Sequence, residues 1–449
     1  MRHRLLTLGA VVSLLSLGLA PAVAAASPND DGSQPLPGYT VNNPPLAPTT
    51  VGGQPTVVHQ GIFNHAAFDI EVPPNWNGDL VMYAHGFRGQ GTVLTVDPPP
   101  FGLRQKLVNE GYAWAASSYY DNGYDVRAGV LSTHDLAQHF DDVVTPAGHV
   151  YLIGVSMGGH ITGRSVEQYP HFYVGALPMC GVLGDDRLFD FFLDQNLVAQ
   201  DMAGVPDYPA TADYFATDVP KIESALGLTG IKPGGSPTND LGKQYRSIVI
   251  NQSGGDRPGA NNAFSFWYSI HFPFTLWAPD NGGTLAQNPG RVATNADTVY
   301  SPNSPFDVNS TIQRVEPTDP VDRVRHNLTQ SPLIEGRPLV PVLTLHDLGD
   351  LFVPFSMEEI YAGEVAHQHR SDFVVQRAIR AASHCEFSPN EVGRAWDDLT
   401  QWVTHGVRPA GDTVADPATV AQPNFGCAFT DSTVHATGTR PLFAACPAG

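Results

Sequence analysis

The run HVYLIGVSMGGHITGRSVEQYP, residues 149–170, decides how this chain folds. An apolar β-type run from Val150 to Ile153 leads straight into Gly154-Val155-Ser156-Met157-Gly158, and a helix-like stretch follows. The two glycines permit a tight strand-to-helix turn that projects the Ser156 hydroxyl at the end of a sheet. As letters alone, G-x-S-x-G is a weak signal in a chain with 44 glycines. Its setting between a buried strand and a helix gives it meaning.

Working outward, the same grammar repeats on both sides. TVVHQGIF, AAFDIEVP and DLVMYAHG read as strands from Thr56 to Gly86, with a turn at Asn75-Trp76-Asn77-Gly78. FGLRQKLVNEG is a helix ending on Gly111, YAWAASSY a buried strand, and LSTHDLAQHFDDVV a helix with Ser132 or Thr133 as its cap. YVGALPMCGV follows as a strand. The alternation breaks over residues 184–337, which are rich in Pro, Gly, Asn and aromatics, including SFWYSIHFPFTLW. It resumes with PLVPVLTLHDLGD, SMEEIYAGEVAHQH, DFVVQRAI and PNEVGRAWDDLTQWV. Strands alternating with helices predict an α/β fold, a mostly parallel sheet covered on both faces. The segments read as a first core part over 57–183, a cap insertion over 184–337 and a second core part over 338–406. An irregular arm (27–56) precedes them and a C-terminal extension (407–449) follows.

The chemistry starts from the serine. A lone hydroxyl is a poor nucleophile at neutral pH and needs a base to take its proton. Beyond the cap, the strand VLTLHDLGDLFVP delivers two carboxylates, Asp347 and Asp350. His384, in ASHCEFSP, lies just past the last strand, whereas His367 and His369 fall in a helix and His405 at a helix end. An oxyanion site needs two backbone N–H groups aimed where charge develops. Met157 follows the serine, and Phe87 follows the His85-Gly86 pair after a strand. The cap aromatics Phe264, Phe266, Trp267, Tyr268, Phe272, Phe274 and Trp277 read either as the cap's own core or as a pocket wall.

Composition bounds the rest. The net charge of −20 argues against nucleic acid or an anionic membrane surface as partner. Arg2 and Arg4, the apolar run Leu5 to Ala20 and the small residues Ala22-Val23-Ala24 read as a secretory signal peptide over 1–26. No other stretch approaches transmembrane length, so an exported protein with no membrane anchor is expected. Cys180, Cys385, Cys427 and Cys446 make an even count for an oxidising compartment, with three possible pairings. No C-x-x-C pair exists, so no thiolate metal site is expected. The oligomeric state is not legible.

In chain order these motifs resemble the α/β-hydrolase family: HG at 85–86, GVSMGG at 154–159, HDLGDLFVP at 346–354 and SHCEF at 383–387. The resemblance implies a Ser156–His384–Asp350 triad without metal or organic cofactor, with oxyanion donors at Phe87 and Met157. The spacing from His346 to Val353-Pro354 resembles the acid loop of that family and selects Asp350 over Asp347, leaving Asp347 as a loop-capping or surface carboxylate. The function implied is a secreted serine hydrolase cleaving a carboxylic ester of a small-molecule or polymeric acyl substrate, or an amidase or peptidase with the same triad. The His384-Cys385 pair is similar to that of tannases and feruloyl esterases, where the cysteine is disulfide-bonded beside the triad. In that family its partner directly precedes the serine, where this chain has Val155. Cys180 is the substitute, which implies Cys180–Cys385 and Cys427–Cys446. A looser similarity extends to secreted actinobacterial hydrolases of the phthalyl amidase type.

Overall fold

The computed structural model describes residues 31–276, 285–286 and 288–446. The expected signal peptide and Trp277 lie outside them. Eight strands form one sheet: β1 (Val57–Phe63), β2 (Ala66–Val72), β3 (Leu80–Ala84), β4 (Ala113–Ser117), β5 (Val150–Val155), β6 (Gly175–Met179), β7 (Val342–Asp347) and β8 (Val374–Ile379). Their spatial order is β1-β2-β4-β3-β5-β6-β7-β8. β2 runs antiparallel to both its neighbours, and every other pairing is parallel. This order, with the inversion at β3 and β4, is that of the α/β-hydrolase fold.

Both faces of the sheet are covered, and the strands alternate between them. Leu80, Met82 and Leu152 enter the core on one face, while Val81, Tyr83, Tyr151 and Ile153 enter the core on the other. On the second face lie helices α1 (Leu103–Asn109) and α8 (Pro389–His405), the latter through Val392, Ala395, Trp396 and Leu399. Fully burying one such side chain stabilises by about 1.5–3 kcal/mol, so this stripe fixes α8 firmly. On the first face lie α2 (Val126–Val143) and α3 (Met157–Gln168). α2 starts six residues before the expected cap. Asp125 accepts a hydrogen bond from the Ala128 N–H at 2.9 Å and caps it, while Ser132 and Thr133 are buried within the helix. An aspartate is as good a cap as serine, and the apolar pair Val126 and Val130 extends the buried face backward.

Residues 184–337 build α4 (Arg187–Ala203), α5 (Asp240–Gln252) and α6 (Ala260–Ser269) with several shorter turns, and α7 (Ser356–His367) follows β7. Their buried residues, among them Phe189, Tyr245, Phe264 and Trp267, join the same apolar cluster as the first face of the sheet. Among the described residues, the insertion's apolar side chains merge with those on the first face of the sheet, so it is packed onto the sheet through shared side chains. Beyond α8, residues 407–446 wrap back along β8, where Asp412 Oδ2 accepts the Ala378 N–H at 2.8 Å.

Candidate active site

The parallel register brings the carboxyl ends of five strands to one edge. Ala84 is level with Gly154, Val155 with Met179, Met179 with Leu345, and Asp347 with Ile379. Each strand therefore delivers its next residues to the same crevice: His85-Gly86, Ser156, Cys180, the Asp347–Asp350 loop and the Ala381–His384 loop. The carboxyl edge of a parallel sheet is where such folds place their ligands.

Ser156 stands between β5 and α3 at φ 61°, ψ −121°. A residue with a Cβ rarely adopts this backbone, so the surrounding packing must hold it there. Glycine makes that packing possible. A Cβ on Gly154 would lie 1.9 Å from the Gly158 carbonyl oxygen, and one on Gly158 would lie 2.0 Å from that of Ala84. The elbow thus closes only because both positions lack a side chain.

Three residues separated in sequence meet at this elbow. His384 Nε2 lies 2.8 Å from Ser156 Oγ, and its Nδ1 lies 2.5 Å from Asp350 Oδ2. Asp350 is fully buried, and its other oxygen accepts the N–H groups of Phe352 (2.8 Å) and Val353 (3.1 Å). An acceptor-only carboxylate at Nδ1 leaves Nε2 as the lone-pair nitrogen facing the hydroxyl. The strand-end loop of β3 runs against the serine: a Cβ on Gly86 would fall 3.0 Å from Ser156 Cβ and 3.5 Å from Oγ. Phe87 follows it, and Met157 opens α3 directly after the serine.

Asp347 takes a different place. It is fully buried rather than at the surface, and its Oδ2 accepts the Glu386 N–H at 2.6 Å. Burial first, and the charge of Asp350 second, push its carboxyl well above the usual carboxylate range. Its Oδ1 has no partner among the described residues. It tethers the loop that carries His384 instead of orienting the imidazole.

Cys180 and Cys385 are bonded, with 5.4 Å between their Cα atoms, so the residue next to His384 is tied to the end of β6. Cys427 and Cys446 form the second bond. Among the described residues, the one group with metal-ligand spacing is Cys180, His384 and Cys385. Both its sulfurs are spent in the disulfide, which leaves one nitrogen.

Several site residues are not visible in the sequence pattern. Trp267 Nε1 donates to the carbonyls of both Gly349 (2.9 Å) and Ala382 (2.8 Å), joining the loops that carry Asp350 and His384. Arg257 Nε donates to Leu348 O at 2.6 Å, and its Nη2 to Ser253 Oγ at 3.0 Å. Burial brings that guanidinium down to about 10. Tyr119 stacks on His85 at 4.0 Å and donates to its carbonyl at 3.0 Å. Burial lowers the His85 imidazole to about 3, so it is a neutral prop for the loop. Of these, His85 belongs to the His85-Gly86 pair and Trp267 to the cap aromatic run, whereas nothing in the sequence sets Arg257 or Tyr119 apart. Within that run, Phe264, Tyr268 and Phe274 are core, while Phe272 packs edge-on to Phe352 at 5.2 Å. Phe352 in turn stands edge-on to the His384 ring at 4.9 Å.

Strand order, elbow and converging side chains define a chain of the α/β-hydrolase fold. The sequence is 26% identical over 410 residues to an o-phthalyl amidase of Xanthobacter agilis, covering 77% of this chain and 86% of that relative. Among solved structures, an esterase from Aspergillus oryzae is similar at a TM-score of 0.48 and 14% identity, covering 80% of this chain and 82% of that one. Feruloyl esterase B from Aspergillus oryzae follows at 0.41 and 14%, covering 77% and 79%. No family model matches the chain.

Proposed function

We propose that this protein is a secreted serine hydrolase that cleaves a carboxylic ester through an acyl-enzyme on Ser156. The observation that carries the reading is the hydrogen-bonded line Asp350–His384–Ser156, at 2.5 and 2.8 Å, on a serine held at φ 61°. His384 takes the Ser156 proton as Oγ attacks the acyl carbon, and Asp350 holds the ring in the required tautomer and stabilises its charged form. The N–H groups of Phe87 and Met157 receive the oxyanion. His384 returns the proton to the leaving oxygen, then activates water to release the acid.

One observation favours a second reading. The relative named above carries an amidase name and shares 26% identity across most of both chains. An amide leaving group needs firmer protonation by His384, and the triad geometry serves both. Matched p-nitrophenyl esters and p-nitroanilides of the same acids separate the two. The ester reading expects turnover of the esters with anilides slower by about 10² or more in kcat/KM. Equal or faster anilide cleavage would make the protein an amidase, and no turnover of either would remove the acyl-transfer reading.

A further inference from the structure

The C-terminal extension returns to the loop that carries His384 and grips it on both sides. Thr439 Oγ1 accepts the N–H groups of Ala382 (2.7 Å) and Ser383 (3.0 Å), the two residues before His384. The same hydroxyl donates to Glu386 Oε2 at 2.5 Å, and the Thr439 N–H donates to Glu386 Oε1 at 2.9 Å. Arg440 Nη2 donates to the Glu386 carbonyl at 2.7 Å. Its guanidinium also forms a bidentate pair with buried Glu391 at 2.8 and 2.7 Å. Glu391 is the third residue of α8 and closes a capping box with Ser388, so the strap is anchored to a core helix. The approach is close by construction. Gly438 has φ +57°, and a Cβ there would fall 2.0 Å from Glu386 Oε1. Phe443 packs against Gly259 and joins a small apolar cluster with Leu348, Ala378 and Ala382.

All these contacts come from inside the loop closed by Cys427–Cys446, 19 residues apart. Residues 382, 383 and 386 lie on irregular backbone, with no ladder to hold them. Without Thr439, the N–H groups preceding His384 lose their acceptor, and the loop then relies on the Trp267 bond to the Ala382 carbonyl, the Asp347 bond to the Glu386 N–H and the Cys180–Cys385 disulfide, with Asp350 on the imidazole itself. We propose that the disulfide-closed loop 427–446 is a positioning element for His384, with Thr439 and Arg440 as its positioning residues. The inference rests on the proposed role of His384 as base. A displacement of about 1 Å at such a group costs up to about 10²-fold in rate.

The test uses the full chain, with a p-nitrophenyl ester and a fluorophosphonate probe. Thr439→Val keeps shape and removes the hydroxyl. It should lower kcat and the labelling rate by about 10-fold or more with KM changed less than about two-fold, and Thr439→Ser should restore both. A folded Thr439→Val chain with unchanged kcat and labelling rate overturns the proposal. Should that variant fail to fold, graded reduction of the wild-type chain replaces it. Opening Cys427–Cys446 with Cys180–Cys385 still closed, as read by peptide mapping, should lower kcat in step; full activity with that bond open overturns the proposal as well. A wild-type chain that neither turns over ester nor reacts with the probe overturns the role of His384 itself, and the positioning claim with it.

Discussion

The sheet and the cap position the site by opposite means. In the sheet, the elbow is held by what is absent: Gly154 and Gly158 let backbone meet backbone, and the strand register does the aligning. In the cap, side chains reach across to backbone. Trp267 bridges Gly349 and Ala382, and Arg257 holds Leu348. Polar side chains also pair within the cap's interior. Tyr300 donates to Asp194 at 2.7 Å, and Tyr268 to Gln195 Oε1 at 2.9 Å. The contrast amounts to a division of labour: the sheet fixes where the reacting groups stand, and the cap fixes how firmly their loops are held.

The contrast is broken most severely from the sheet side. Ser156→Ala should reduce kcat by about 10⁶ while leaving thermal unfolding unchanged, because the substitution removes one oxygen and no packing. Residual turnover near the wild-type level would mean that another nucleophile operates. Next comes Asp350→Asn, which keeps the loop's shape but favours the wrong imidazole tautomer; steady-state kinetics should show a loss of about 10⁴ in kcat.

That sheet-borne half was largely legible in the sequence, and for a physical reason. Apolar runs that fill strands buried on both faces, glycine at an elbow and a helix after each of β3 to β8 are local patterns, and the order of motifs from 85 to 387 follows strand order. Asp125, the cap of α2, escapes the pattern because it precedes the clear periodicity, and a cap lies outside the pattern it starts. The cap insertion was not legible in the same way. Trp267 and Arg257 act through hydrogen bonds to carbonyls 82 and 91 residues away, and no spacing announces such a partner. The burial of Asp347 is equally hidden, since its environment is set by Glu386, Asp350 and Glu391, up to 44 residues away.

Smaller effects sharpen the cap's share. Trp267→Phe keeps the ring in place but removes the N–H shared by the two loops. A fall of about 10-fold in kcat with little change in KM is expected, from loosened loops rather than lost binding. A change confined to KM would instead make Trp267 a substrate contact. Smallest is Asp347→Asn. Because burial holds the folded carboxyl above its ordinary 3.8, the native state binds the proton more tightly than the unfolded chain. Stability is therefore lost as pH rises from that value through the raised folded value. Asparagine retains an acceptor for the Glu386 N–H and has no proton to lose. Scanning calorimetry should show a Tm gain of about 1–3 °C that is larger at alkaline than at acid pH. A variant less stable than the parent at every pH would mean that the ionised carboxylate is favoured in the folded protein.

The central claim is that the hydroxyl at the strand-to-helix elbow is an activated nucleophile. The most direct measurement is mass-spectrometric mapping of the fluorophosphonate adduct on the folded chain. One adduct per chain, on the peptide containing Ser156 and lost when His384 is replaced by alanine, is the expected result. Labelling at another residue, or none under conditions where a known serine hydrolase is fully modified, would contradict it.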